Sequence, residues 1–137
     1  MGKQLSIFVE NKLGKINKIT GILEKEKINL RAMTIADSGT FGIVKIITDN
    51  NRKAFYILKK TNFLVSLQDV VVVEIPDKVG AFHKVAKILE DKKINIEDAY
   101  GFIIEEGEKA ALILKVPEPE RVEKILKKKG YKLIENF

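Results

Sequence analysis

The chain has 137 residues, of which 45% are hydrophobic and 32% charged, enough for one ordinary domain or two small ones and too apolar for a disordered segment. It has no cysteine and one histidine, which excludes disulfides, thiolate catalysis and cysteine-ligated metal, so neither metal nor cofactor is expected. The formal charge of +6 comes from 25 basic and 19 acidic residues whose signs are interspersed as on solvated helix faces, apart from one cluster between Arg121 and Lys132, so no nucleic-acid partner is expected.

Met1 to Leu5 runs straight into a strand pattern without an apolar signal segment, and no apolar run is long enough to cross a membrane; the expectation is a soluble cytoplasmic protein with no membrane partner. Leu5, Ile7 and Val9 alternate with Ser6 and Phe8, a strand apolar on both faces and therefore central in its sheet. After the loop 10–14, Ile16, Ile19, Ile22 and Leu23 recur at helical spacing, predicting an amphipathic helix over 15–27. Residues 28–36 and 41–48 read as strands joined by Asp37-Ser38-Gly39-Thr40, a hairpin turn. Asp49 and Asn50 are good caps for a second helix carrying Ala54, Ile57 and Leu58, and 63–67 reads as a fourth strand.

The same order then returns. A strand over 70–75, a helix marked by Phe82, Val85, Ala86 and Leu89, a hairpin of 94–104 with 109–116, a helix opened by Pro119, and a closing strand over 131–134 follow in turn. The repetition is visible residue by residue: at an offset of 66, nine of the 21 positions from Glu10/Pro76 to Leu30/Ile96 are identical, including Gly14/Gly80 and Asn29/Asn95. Two units, 1–68 and 69–137, follow, with only Gln68-Asp69 between their last and first strands. Each β-α-β-β-α-β half predicts an α+β, ferredoxin-like unit, an antiparallel four-stranded sheet with both helices on one face. A unit near 60 residues buries only roughly 60% of its unfolded surface, so the halves are expected to share an interface, and a homodimer of chains would cover apolar faces still further.

This architecture serves many functions, so the loops must decide. Gly14 and Gly80 permit a tight turn at the strand-to-helix junction, where the first helical N–H groups could cradle a carboxylate or phosphate. Three positions before each glycine stands Asn11 or Asp77, and fifteen after it Asn29 or Asn95. Side-chain oxygens there suit an ammonium, so the set suggests a free amino acid. The bland alternative is equally open from these residues: a turn glycine, a helix cap at Asn11 or Asp77, and local hydrogen bonds at Asn29 and Asn95. His83 reads as a surface residue, the carboxylates at Glu105, Glu106 and Glu108 as a solvated turn, and no nucleophile with a partnering base is visible.

Val9-Glu10-Asn11-Lys12-Leu13-Gly14 with Ile28-Asn29-Leu30, and Pro76-Asp77-Lys78-Val79-Gly80-Ala81-Phe82 with Ile94-Asn95-Ile96, resemble the signature of the ACT domain, a regulatory amino-acid-binding module. The resemblance spans nearly the whole chain and is closest to stand-alone proteins of two ACT units with no catalytic domain. It implies a non-enzymatic protein that binds an amino acid where one unit's loop meets a neighbouring unit and passes occupancy to a partner enzyme or regulator. The ligand-binding positions it implies are Asn11, Leu13, Gly14 and Asn29 in the first unit and Asp77, Val79, Gly80, Ala81 and Asn95 in the second. Leu13 and Val79 stand where the family often has Pro, and Val9 and Ile75 stand where some serine-binding members have His, which argues against serine. Two rivals belong to other classes: a purely structural interaction subunit without ligand, and a single-stranded RNA binder, for which Lys45-Ile46-Ile47 and Ala111-Leu112-Ile113 provide no aromatic stacking platform.

Overall fold

The computed structural model describes residues 1–136, in two compact units: residues 3–68, and residues 69–136 together with Met1 and Gly2. In the first, β1 (Gly2–Glu10), α1 (Lys15–Lys25), β2 (Leu30–Ser38), β3 (Phe41–Thr48) and α2 (Asn51–Lys60) lead into β4 (Leu64–Pro76), and the sheet order is β2-β3-β1-β4. Strand β1 is central, as its two apolar faces require. Leu5, Ile7 and Val9 point from it to the helices and meet Val44 and Ile46 of β3, Ile19 and Leu23 of α1, and Ala54 and Leu58 of α2 in one buried cluster. Each such fully buried aliphatic side chain contributes about 1.5–3 kcal/mol, and together these fix the face of β1 that receives the helices.

The second unit repeats the plan. It consists of the later part of β4, then α3 (Ala81–Asp91), β5 (Asp98–Glu105), β6 (Lys109–Lys115), α4 (Pro119–Lys128) and β7 (Lys132–Leu133). Its order is β5-β6-β4-β7, all antiparallel, with Val71, Val73 and Ile75 of β4 packed against Val85 and Leu89 of α3 and Val122 and Leu126 of α4. Both units are therefore ferredoxin-like, as the pattern predicts. Between β5 and β6 the backbones lie so close that a Cβ at Gly101 would stand 2.7 Å from the carbonyl oxygen of Ala111, so only glycine fits there.

Three expectations change. The fourth strand of the first half and the first strand of the second are one 13-residue strand, without a break at Gln68-Asp69. Strand β5 begins at Asp98, not Ile94, two positions later than the repeat of β2 from Leu30 would give. The register is kept nonetheless: Ile46, which pairs with Leu5, opposes Met33, and Leu114, which pairs with Val71, opposes Ala99, 66 positions after Met33, so the two extra residues of the second half lie in its hairpin. The closing strand shrinks to Lys132–Leu133.

All four helices stop in the same way. The residue after each C-cap, Lys27, Asn62, Lys93 or Gly130, has a positive φ, and the amide that follows reaches back to the last turn, as Ile28 N does to Leu23 O at 2.9 Å. This is the double-bonded left-handed termination, and it is what turns each helix back towards its sheet.

Candidate functional site

The two strand-to-helix loops have matching geometry. Gly14 (φ 91°, ψ −11°) and Gly80 (φ 84°, ψ −3°) are the N-caps of α1 and α3. Lys15 N donates to Lys12 O at 3.4 Å and Ala81 N to Lys78 O at 3.2 Å, so each glycine is the third residue of a tight turn that needs positive φ there. No side chain caps either helix. The amides of Ile16 and Asn17, and of Phe82 and His83, consequently have no side-chain cap among the described residues, which is the arrangement a carboxylate can use. Leu13 and Val79, at the turn tips, are fully exposed.

Asn11 and Asp77 do not cap the helices; they hold the hairpins. Asn11 Nδ2 donates to Asp37 Oδ1 at 3.0 Å, and the same Asp37 oxygen accepts from Gly39 N at 2.9 Å. In the second unit Asp77 Oδ2 accepts directly from Gly107 N at 2.8 Å. Backbone bonds run alongside, Asn11 N to Thr40 O at 2.9 Å and Asp77 N to Glu108 O at 3.1 Å. One carboxylate in the second unit thus does what an amide and a carboxylate do together in the first. In each case one side-chain oxygen, Asn11 Oδ1 or Asp77 Oδ1, remains beside the loop to accept from a donor.

Asn29 and Asn95 lie elsewhere. Both are exposed just beyond the C-terminal ends of α1 and α3. An 11-residue helix separates each from its glycine, about 16 Å at 1.5 Å per residue. One small ligand therefore does not reach both Gly80 and Asn95 of the same unit. Asn29 sits at the threshold of β2, where its backbone exchanges two 3.0 Å bonds with Asp49. Asn95, three residues before β5 instead of at its start, lines a surface cavity of about 520 Å³ with His83, Lys87, Glu90 and Ile96 along α3. Of the remaining positions, Ala81 turns its methyl into the core of the second unit and offers the loop only its backbone.

A family model described as an ACT domain pair matches residues 1–136. The chain belongs to this family. Among solved structures this ACT pair superposes on a protein from Bacteroides thetaiotaomicron with a TM-score of 0.90 and 36% identity, covering 97% of this chain and 91% of that one. It is similar in fold to the regulatory subunit of aspartate kinase from Thermus thermophilus, in its ligand-free form (TM-score 0.67, 14% identity, 92% and 91% covered), and to aspartokinase alpha and beta subunits (TM-score 0.60, 18% identity, 93% and 96% covered). None of the curated proteins matches the sequence. No helix among the described residues is long and apolar enough to cross a membrane.

Sequence reasoning missed one participant in the ACT pair's loops. Asp37 looked like a turn residue, yet it is the anchor of Asn11, 26 positions away. His83 is exposed, as expected, and lines the Asn95 cavity with Lys87 and Glu90 along one face of α3.

Proposed function

We propose that this ACT pair is a non-enzymatic regulatory protein that binds a free amino acid or related small carboxylate at its strand-to-helix loops and passes occupancy to a partner enzyme. The observation that carries this reading is the pairing, present in both units, of an uncapped helix N-terminus with a hairpin-anchored side-chain oxygen at Asn11 or Asp77. The first suits the carboxylate and the second the ammonium of one zwitterion. Because Asn29 and Asn95 lie a helix length from the loops, a second copy of the chain, in a homodimer, would supply the Asn to a site built on Gly14 or Gly80. The regulatory assignment is supported by the family; the partner class, an enzyme of amino-acid metabolism, takes its support from fold neighbours that are regulatory subunits of aspartate kinase.

Occupancy signals only if the ligand prefers one arrangement of the units. Its docking on Asn11 or Asp77 reaches the hairpin tips through Asp37 or Gly107. The rival reading, a structural subunit without ligand, takes its support from the same bonds, because both side chains already have a structural task.

A thermal-shift screen against the common amino acids at millimolar concentration separates the two. A ligand at 100 times its Kd stabilises by about 2.7 kcal/mol, a clear shift in the transition. Asn95→Ala should leave the fold intact and weaken binding by roughly 5- to 150-fold. No shift with any amino acid favours the structural subunit.

A further inference from the structure

The two units diverge at the exit from their first helices. In the first, Asp49 clamps Asn29: the amide of Asp49 donates to Asn29 O at 3.0 Å and its Oδ1 accepts from Asn29 N at 3.0 Å, so the backbone there is fully engaged. Asp49 stands three residues after Ile46 of β3, and three residues after Leu114, the matching position of β6, stands Pro117. Proline has neither the N–H nor the carboxylate that the clamp needs. Asn95 accordingly has no hydrogen-bond partner for its backbone N–H, its carbonyl or its side chain among the described residues, and 94–97 stay outside the strand.

This open link borders the surface cavity of about 520 Å³ along α3, a volume in the range of small-molecule sites. His83, Lys87 and Glu90 line it from one face of the helix, and Lys93 lines it from the helix exit. Ala86 and Ile96 supply an apolar floor. Among the described residues the side chains of His83, Glu90 and Lys93 have no hydrogen bond or ion pair, and Lys87 has only a 3.9 Å contact with Asp91. At the same offset the first unit keeps the acid, the second lysine and the amide, as Glu24, Lys27 and Asn29, but has Asn17 and Gly21 in place of His83 and Lys87. Loss of the clamp and gain of His83 and Lys87 are separate changes, and in the second unit they converge on one cavity.

We propose that this cavity binds an acidic amino acid, aspartate or glutamate. Charge decides the class. Lys87 and Lys93 against Glu90 leave one positive charge over, which an acidic amino acid balances and a neutral one does not. The side-chain carboxylate of the ligand meets Lys87, with His83 one turn further on; its ammonium meets Glu90 and the Asn95 carbonyl; its α-carboxylate meets Lys93 and the Asn95 N–H. Lys87 and Glu90 are three apart on the helix, with Cβ atoms about 5–6 Å from each other, a separation that suits opposite ends of one such molecule. The proposal rests on the amino-acid reading given above but not on the loops at Gly14 and Gly80, and Asn95 is the one residue it shares with them.

The test is an amide-resolved NMR titration of the full chain with aspartate, glutamate, asparagine and glutamine. The expected result is saturable movement of the amides of Lys87, Glu90, Asn95 and Ile96 by aspartate or glutamate, with Kd below about 1 mM. Which acid binds fixes the length of the ligand, and its neutral amide should bind at least about tenfold more weakly. Lys87→Gln, at an exposed position that the fold does not need, should weaken binding of the acid about tenfold, flatten its salt dependence and leave the affinity for the amide unchanged. Pro117→Asp, which offers Asn95 the partner that Asn29 has, should weaken binding as well, and the amide spectrum reports whether that variant folds. Movement confined to residues 12–17 and 78–82 upholds the loop reading and overturns this one; movement confined to residues 86–97 upholds this one and removes the loops. No saturable movement with either acid overturns the proposal. So does asparagine or glutamine binding as tightly as the acid, or an affinity for the acid that survives Lys87→Gln.

Discussion

The loop glycines make a claim that can be tested without knowing any ligand. Gly80 has φ 84°, and a Cβ placed on it meets nothing within 4 Å. Gly80→Ala therefore creates no clash, and its whole effect is conformational. Holding an L-residue in the left-handed region costs about 1–2 kcal/mol, and alanine offsets about 0.4–1 kcal/mol of this by narrowing the unfolded ensemble. The net expectation is a loss of about 0.5–1 kcal/mol. Gly21 provides the control, since it is exposed in the middle of α1 and its Cβ would also meet nothing within 4 Å. There the same substitution falls in helical backbone and should stabilise by about 0.5–1 kcal/mol. Urea denaturation with unchanged slope would show midpoints moving in opposite directions for one and the same chemical change. Midpoints that move together, or a Gly80→Ala midpoint at or above that of the unmodified chain, would refute the turn assigned to the loop.

Gly101→Ala should behave differently from both, because its Cβ would lie 2.7 Å from backbone that cannot swing away; a loss of about 1–3 kcal/mol is expected from equilibrium unfolding. Burial, with a smaller contribution from Asp98, pushes the Tyr100 phenol well above its ordinary value of about 10. The unfolded chain gives up that proton first, so stability should fall as pH rises beyond about 10, and Tyr100→Phe should remove that part of the slope in alkaline melts. The hydrogen bond and charge of Lys12 hold the Glu10 carboxyl below the usual range. A folded value below the unfolded one adds stability above about 4.3 that is lost as pH falls, and Lys12→Gln should return the Glu10 midpoint towards about 4.3 in a carboxyl NMR titration.

What could be read from the sequence was local chemistry. The cap at Asn50 was legible because its donor lies three residues away, and the structure has Asn50 Oδ1 accepting a 3.1 Å bond from Lys53 N. The bounds of β3, Phe41–Thr48, followed from a β-branched run between turn and cap residues. The continuity of β4 was hidden because Gln68-Asp69 looks like a break. Its polarity instead serves a cross-strand contact, with Gln68 Oε1 accepting from Gln4 Nε2 at 3.2 Å and from Ser6 Oγ at 3.0 Å. Likewise the repeat equates Asn29 with Asn95, but strand pairing starts at Asp98 instead of Ile96, so Asn95 lies three residues before its strand and lines a cavity. Neither a side-chain pairing 64 residues apart nor the residue at which strand pairing starts leaves a periodic trace.

The two halves have diverged by different rules at different places, and this bears on what each does. Where Asn11 and Asp77 differ, the surroundings compensate: Asp37 supplies the carboxylate that Asn11 lacks, and both hairpin glycines, Gly39 and Gly107, keep their acceptor. Selection for a stable hairpin would produce that compensation, with or without a ligand. On the sheet face away from the helices the halves diverge freely, since Phe8 gives way to Glu74 and Phe41, by the strand register, to Lys109. The loop glycine and the helix lysine beside it, Gly14 and Lys18, are instead retained as Gly80 and Lys84. What both copies keep is thus the strand-to-helix loop and its helix, the part on which the proposed amino-acid site is built.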